Sequence, residues 1–243
     1  MSPDQAAAFL SAAVPPSAVA VAVIVLFTAG WAVYAFLGSS GRLQGRFYAR
    51  FGPRTGAIRH TTFQRLLMAC CFGVAPLAVS LFLHLDLGKF CRLPRATGSA
   101  GLWSLLLLLG AGFGSYFNPQ LRRPDARYPQ MKLTEWTRPL VMYNIVLWAL
   151  FLVAYEFMYR GLLLYSLLPY GMGIAVTINT ALYALTHVHK GLIETVAAAP
   201  FGVALCLLTL ATSSFWTAAF IHVSLAVGNG LGAIRFRPDI TLQ

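Results

Sequence analysis

Seven ionisable side chains lie at membrane depth in the C-terminal half of this chain, among them His189 and Lys190. The five that are candidates for a site are Glu156, Arg160, His187, Glu194 and His222. A charged side chain at the centre of a membrane helix costs at least about 2.5 to 3.5 kcal/mol, so several of them together indicate a function. Glutamate and histidine are common proton-transfer groups in catalysis, and arginine is suited to holding other groups in position. The set therefore predicts proton-transfer chemistry at membrane depth.

Glu156 and Arg160 are four residues apart, which places both on one helix face with the acid before the base. Two interpretations follow from this spacing. Either the pair neutralises itself as an internal strut, or Glu156 acts as a base, because a carboxylate in apolar surroundings can accept a proton near neutral pH. Arg160 keeps its proton in both cases and suits a positioning role.

The depths of the candidate residues can be compared by counting along each helix from the predicted outer turns near residues 169 and 213. At a rise of about 1.5 Å per residue, Glu156 lies about 20 Å deep, His187 about 25 Å and His222 about 14 Å. Three helices can therefore direct these side chains toward one cavity in the middle of the membrane. His60 and His84 have no such company and are interpreted as structural.

The cysteines give no sign of a metal site. Their spacing matches no known ligand pattern and no disulfide framework, and three of them lie inside apolar runs, where a thiol behaves as a small hydrophobe. The four are Cys70, Cys71, Cys91 and Cys206. We therefore expect neither a metal nor another cofactor.

Short motifs around the candidate residues resemble those of a known protease family. The segment YEFMYRG at 155–161 resembles a first motif of two glutamates, three residues, then Arg and Gly. Tyr183 to His187 resembles a second motif, and residues 212–216 leading into His222 resemble the approach to a third. Over 139–234 the chain is thus similar to the CPBP (CaaX protease and bacteriocin-processing, or Abi) family of glutamate-type intramembrane proteases, with a myxosortase-like bacterial branch as one option.

This resemblance implies a metal-independent endopeptidase of the membrane. In such enzymes a glutamate and the second-motif histidine polarise the attacking water, while the last-helix histidine and an Asn or Asp four residues later stabilise the oxyanion. Carried over, His187 pairs with the glutamate and His222 faces the oxyanion, while Glu156 with Arg160 holds the site together or supplies the base. The implied substrate is a membrane-anchored protein or peptide, and the implied role is C-terminal processing or sorting of surface proteins.

Two positions depart from the family pattern. Tyr155 replaces the first glutamate, and Ala226 stands where an Asn or Asp is expected. Asn229, two turns after His222, and Glu194, seven residues after His187, are the candidate substitutes. The departures leave a non-catalytic scaffold or immunity protein as the alternative. A transporter with a proton relay is a third reading, which the absence of repeated halves disfavours.

The elements that must position these residues are membrane helices. The chain is 58% hydrophobic and 10% charged, with a mean hydropathy of +0.69, whereas soluble domains carry about 25% charged residues. No stretch shows the alternation that a barrel strand requires, so we predict an all-α polytopic bundle of about seven spans. The predicted spans are 14–37, 66–87, 100–117, 139–168, 171–189, 192–212 and 214–234.

The basic residues predict how the bundle is oriented. The net charge is +11, but the charges cluster between the spans, mainly in 38–65 and 118–138, which indicates membrane topology and not nucleic-acid binding. Seven spans place those two segments on the same side as Lys190 and the tail residues Arg235 and Arg237, which puts fourteen Lys and Arg on that side and three on the other. We therefore expect a multi-pass protein of the bacterial inner (cytoplasmic) membrane, N-terminus out and C-terminus in, with no cleaved leader. Residues 1–243 are expected to form a single domain, with 1–138 as N-terminal helices and 139–234 as the core, in contact with the lipid bilayer. The chain gives no indication of its oligomeric state.

We also expect close helix packing at two pairs of glycines with small-xxx-small spacing, Gly110 with Gly114 and Gly228 with Gly232.

Overall fold

A computed structural model describes residues 14–94, 98–123, 128–188 and 191–243. Over these ranges the chain forms an all-α bundle, which confirms the predicted fold class. Two 3₁₀ turns, Leu87–Lys89 and Pro119–Arg122, flank the third helix. The helices are α1 (Pro16–Gly38), α2 (Gly41–Phe82), α3 (Gly98–Tyr116), α4 (Arg138–Tyr170), α5 (Met172–Leu185), α6 (Leu192–Thr212) and α7 (Phe215–Phe236).

Each of the seven predicted spans corresponds to one of these helices. Six of the helices in the described ranges are long and apolar enough to cross a membrane. The exception is α5, which has 14 residues and is therefore about 21 Å long, less than the roughly 30 Å of a hydrocarbon core. It ends at Leu185, two residues before His187.

The basic segment before the second predicted span is helical, so our interpretation of residues 38–65 as a connecting loop was wrong. The helix α2 begins at Gly41 and changes direction at Gly52, whose φ of 74° favours glycine, just before Pro53. The arm before this bend folds back, and the Phe47 ring packs 6.0 Å from that of Phe63. The arginines of this arm, Arg42, Arg46 and Arg50, recur every four residues on its exposed face. This spacing is that of a helix, but the segment is too highly charged to be recognised by an apolar pattern.

Three of the helices contain π-helical turns, at Tyr34–Gly38, Cys70–Val74 and Phe157–Leu163. The last of these follows Glu156 directly, and all seven of its residues are buried at the centre of the bundle. Such turns are rare and are frequent at functional sites.

Close packing of α3 against α7 depends on glycine at three positions. A Cβ atom on Gly228 would collide with Ser115 Oγ, and one on Gly232 would collide with the carbonyl oxygen of Tyr116. This agrees with the predicted role of the pair on α7. On α3, however, the contacting glycine is Gly112, whereas the predicted pair has open space beside it.

Three basic segments of the sequence meet at one end of the bundle. The strand β1 (Glu135–Trp136) pairs in parallel with β2 (Thr241–Leu242) near the C-terminus. Arg54 Nη1 donates to the carbonyl oxygen of Glu135 at 3.2 Å, which joins the arm of α2 to this pair. Hydrogen bonds from Arg237 hold the pKa of the Asp239 carboxyl below its usual range. We call this end of the molecule the basic face.

Candidate active site

The helix α4 buries Glu156 and Arg160 together at the start of its π-helical turn. Both residues are fully buried, and Arg160 Nη1 lies 3.0 Å from Glu156 Oε2. The guanidinium also lies over the Tyr183 ring, 4.3 Å from its centroid. The predicted pairing on one helix face is therefore present, and the carboxylate is held in a fixed orientation.

His222 on α7 is a second partner of this carboxylate. Its Nδ1 atom lies 2.5 Å from Glu156 Oε1, and its side chain is 12% exposed. Because an ionised carboxylate only accepts hydrogen bonds, Nδ1 is the donor, and Nε2 is then the ring nitrogen that can take a proton. The expectation carried over from the family had assigned the pairing with the glutamate to His187 and had placed His222 at the oxyanion.

His187 lies just beyond the end of α5, where the chain turns toward α6. Its Nδ1 atom lies 2.9 Å from the carbonyl oxygen of Tyr183, and its ring centroid is 4.7 Å from that of Tyr183. A carbonyl accepts but does not donate, so Nδ1 carries a proton and Nε2 is the basic nitrogen of the neutral ring. The neighbouring His189 and Lys190 lie outside the described residues.

A cavity of about 650 Å³ brings the polar candidates together. Its wall includes His187, Glu194, His222 and Asn229, which come from α6, α7 and the turn after α5. Glu156 and Arg160 lie behind this wall, fully buried and connected to the cavity through His222. The other end of the cavity reaches Asn118, Arg123 and Tyr128 near the basic face.

Tyr155, which replaces the first glutamate of the family motif, is also part of the cavity wall. Its hydroxyl lies 3.2 Å from Thr186 Oγ1, and the Tyr159 hydroxyl donates to the same atom at 3.2 Å. The Tyr155 ring packs edge-on against the ring of His222 at 5.7 Å. These contacts hold α4, α5 and α7 in register around the site. Thr186 was missed by sequence reasoning, and its only signal was its position directly before His187.

The second departure, Ala226, is an apolar contact in the wall of the cavity. It is buried against Trp148 and Leu152 of α4, so no polar group is available at this position. Asn229 lies one turn further along α7, is 8% exposed and lines the cavity. It therefore supplies an amide to the cavity that the expected position does not.

The two histidines interpreted as structural lie apart from the cavity wall. His60 is buried, with its ring 5.7 Å from that of Phe47 in the bend of α2. His84 lies in the connection after α2 and has a positive φ of 52°. Among the described residues, no group of three or more His, Cys, Asp or Glu side chains is placed to hold a metal ion.

One of three comparisons with known proteins found a match to this chain. No curated protein and no solved structure matches it. Residues 136–227, which contain Glu156, Arg160, His187, Glu194 and His222 but end before Asn229, match the family model described as type II CAAX prenyl endopeptidase Rce1-like. The match does not identify the chain as a member of the myxosortase branch. Over this region, from β1 to the middle of α7, the chain is therefore similar to the Rce1-like CAAX endopeptidases of the CPBP family.

Proposed function

We propose that the protein is a metal-independent intramembrane endopeptidase, in which Glu156 and histidine activate the attacking water. The observation that carries this proposal is the fully buried Glu156 carboxylate bridging Arg160 and His222 at the wall of a cavity. Most structural ion pairs need only two partners. Here the second carboxylate oxygen is directed to an imidazole that faces the cavity, which is how a catalytic histidine is oriented in hydrolases.

His222 is the proposed general base. Glu156 Oε1 holds its Nδ1–H, and the ion pair with Arg160 keeps the carboxylate charged, so the imidazolium that forms on proton transfer is stabilised. Nε2 takes a proton from water as the oxygen attacks the peptide carbonyl carbon. The same proton is then given to the leaving amine as the C–N bond breaks, which leaves a carboxylate and a free amine as products.

The remaining polar residues of the wall are assigned to the other charges of the reaction. The Asn229 amide is a donor for the oxyanion that develops on the peptide carbonyl. His187 and Glu194 line the same cavity on the α5–α6 side. Protonated His187 would donate from Nε2 to the oxyanion or the leaving group, and Glu194 would favour that charged form.

The substrate side of the proposal follows from where the cavity leads. The cavity extends from the site to Asn118, Arg123 and Tyr128, next to the basic face. The positive-inside rule would put that face in the cytoplasm, with the N-terminus out and the C-terminus in. The substrate is then a membrane-anchored protein or peptide that enters from the cytoplasmic side of a bacterial inner membrane. C-terminal processing or sorting of surface proteins is the role that fits this access.

The second candidate is a non-catalytic membrane scaffold or immunity protein of the same family. Tyr155 and Ala226 favour it, because Tyr155 replaces a carboxylate and Ala226 replaces an amide or carboxylate at positions that the family motif ties to catalysis. The hydrogen bond from His222 to Glu156 opposes it, since a scaffold gains nothing from aiming a buried carboxylate at an imidazole. The two functions differ in whether any peptide is shortened.

The deciding experiment compares the C-termini of membrane proteins by mass spectrometry. Cells carry either the wild type or the double variant Glu156→Gln, His187→Ala at matched abundance. The proposal expects hydrophobic C-terminal segments that are lost with the wild type and retained with the variant, and these segments name the substrates. Identical termini, with both proteins folded in the membrane, would favour the scaffold.

A further inference from the structure

Arg65 on α2 is a buried guanidinium that the proposed reaction does not use. The residue is 2% exposed, and its Nη1 atom donates to both the backbone oxygen and Oδ1 of Asn144, at 3.0 and 2.9 Å. The guanidinium lies over the Trp148 ring, 4.4 Å from its centroid. Its Nε and Nη2 atoms are buried and have no hydrogen-bond partner.

No acidic side chain of the described residues forms an ion pair with Arg65. The groups that interact with it electrostatically are the tyrosines Tyr34, Tyr128 and Tyr143. A buried charge without a counter-charge or a full set of hydrogen bonds is strongly unfavourable. The unpartnered atoms, Nε and Nη2, form the edge of the guanidinium that binds carboxylates and phosphates through two parallel hydrogen bonds. The missing partner is therefore an oxyanion.

Arg65 lies behind one part of the wall of the catalytic cavity. Trp148, which packs against the guanidinium, lines that cavity, as do Tyr34 and Tyr128, which interact with Arg65 electrostatically. The contacts of Arg65 on α4, Asn144 and Trp148, precede Glu156 by twelve and eight positions, which correspond to about 18 and 12 Å along the helix. An extended peptide covers about 3.4 Å per residue, so about four or five residues span this distance.

Building on the proposed function, we propose that Arg65 provides an anion subsite for the C-terminal carboxylate of the peptide being cleaved. The carboxylate binds Nε and Nη2 once the side chain of Tyr34 or Tyr128 moves aside, and the peptide extends along α4 toward His222. The scissile bond is then fixed at about four or five residues from the C-terminus. A lipid phosphate offers the same oxyanion chemistry. The peptide carboxylate is favoured because the subsite adjoins the cavity that holds the hydrolytic residues.

The test uses the full chain in phosphatidylcholine vesicles and two pools of short apolar synthetic peptides. The pools have the same sequences, and one ends in a free carboxylate whereas the other ends in an amide. The wild type is expected to cleave the carboxylate pool about tenfold faster or more, because a hydrogen bond to a charged group is worth about 1.5 to 3 kcal/mol. The released fragments are expected to have about four or five residues.

Variants of Arg65 separate this role from a structural one. Arg65→Gln is expected to bring the ratio of carboxylate to amide cleavage to about one, and Arg65→Lys to keep part of the preference. Arg59→Gln, an exposed arginine on the same helix, is the matched control and retains the full ratio. If Arg65→Gln does not fold, the ratio of carboxylate to amide cleavage is compared between the wild type and Arg65→Lys. A lower ratio in Arg65→Lys still supports the subsite, and an equal ratio contradicts it.

Three results would overturn the inference. Equal cleavage of the two pools by the wild type would do so, and so would an unchanged ratio in Arg65→Gln. Equal cleavage together with phosphatidylglycerol stabilising the wild type but not Arg65→Gln would assign the oxyanion to lipid. If neither pool is cleaved, the proposed function itself is contradicted. If both pools are cleaved equally, only the anion subsite is contradicted.

Discussion

His222 Nδ1 lies 2.5 Å from Glu156 Oε1, a hydrogen bond between two helices whose residues are 66 positions apart in the chain. It connects the ion pair inside α4 to a cavity that neither Glu156 nor Arg160 reaches. Substitutions at either end of this bond should therefore differ in their effects. Loss of the carboxylate removes a buried counter-charge as well as the orientation of the imidazole, whereas loss of the imidazole removes only a cavity-facing group.

Glu156→Gln is expected to abolish cleavage and to destabilise the protein. Removing one partner of a buried ion pair costs about 3 to 5 kcal/mol, because Arg160 is left without its counter-charge. Thermal unfolding in detergent and cleavage assays in vesicles measure the two effects. The control is Glu135→Gln, which breaks the exposed ion pair with Arg54 and should change stability by less than about 1 kcal/mol.

His222→Gln is expected to lower cleavage by about 10² to 10⁴ and to leave the fold intact, because it removes the proposed base from a partly exposed position. His84→Asn is the matched control, since asparagine tolerates the positive φ of that position and the residue lies outside the cavity wall. Wild-type cleavage by His222→Gln would return the role of base to Glu156 or to His187.

Glu194→Gln tests whether the second carboxylate in the cavity belongs to the reaction. If Glu194 takes part in the reaction, the variant should cleave about tenfold more slowly than the wild type, because a carboxylate is lost from the cavity wall. The measurement is the cleavage rate of both proteins in vesicles. An unchanged rate would leave Glu194 with a structural role.

Chelators are expected to leave cleavage unchanged, because the proposed mechanism activates water with Glu156 and His222 alone. The measurement compares cleavage before and after dialysis against EDTA. Inhibition that added zinc reverses would contradict the mechanism and would favour a histidine-ligated metal.

Gly228→Val is expected to destabilise the bundle by about 1 to 3 kcal/mol, because its side chain would overlap with Ser115 and Gly112 of α3. Gly110→Ala is the control, since a Cβ atom there meets nothing within 4 Å and alanine favours the helix. Thermal unfolding of the two variants in the same detergent compares them. Equal stability of Gly228→Val and the wild type would mean that α3 and α7 are not in close contact.

The sequence predicts well what depends on local spacing. The pairing of Glu156 with Arg160 follows from four residues on one helix. The bounds of the helices follow from apolar length except for α2, which begins at Gly41 in a basic segment. The glycines of α3 were misassigned because Gly110 and Gly114 share the small-xxx-small spacing, but the rotation of α3 turns Gly112 toward α7. Which face of a helix meets its neighbour is set by tertiary packing, which the spacing does not contain.

The choice between the two histidines has the same cause. Counting along helices places Glu156, His187 and His222 at comparable depths, but it does not give the separation between helices within the membrane plane. That separation decides that His222 bonds Glu156 while His187 bonds the backbone of Tyr183. The hydrogen bonds between Arg65 and Asn144 join residues 79 positions apart and depend on it in the same way.

The short helix α5 bears on how the reaction obtains its water. Hydrolysis consumes one water molecule per bond, and the hydrocarbon of a bilayer holds almost none. At about 21 Å, α5 covers only part of the membrane thickness, and the turn that follows has polar backbone groups that lipid cannot satisfy. We therefore expect these groups to hold water beside His187, so that a helix too short to span the bilayer would hydrate the proposed site of cleavage.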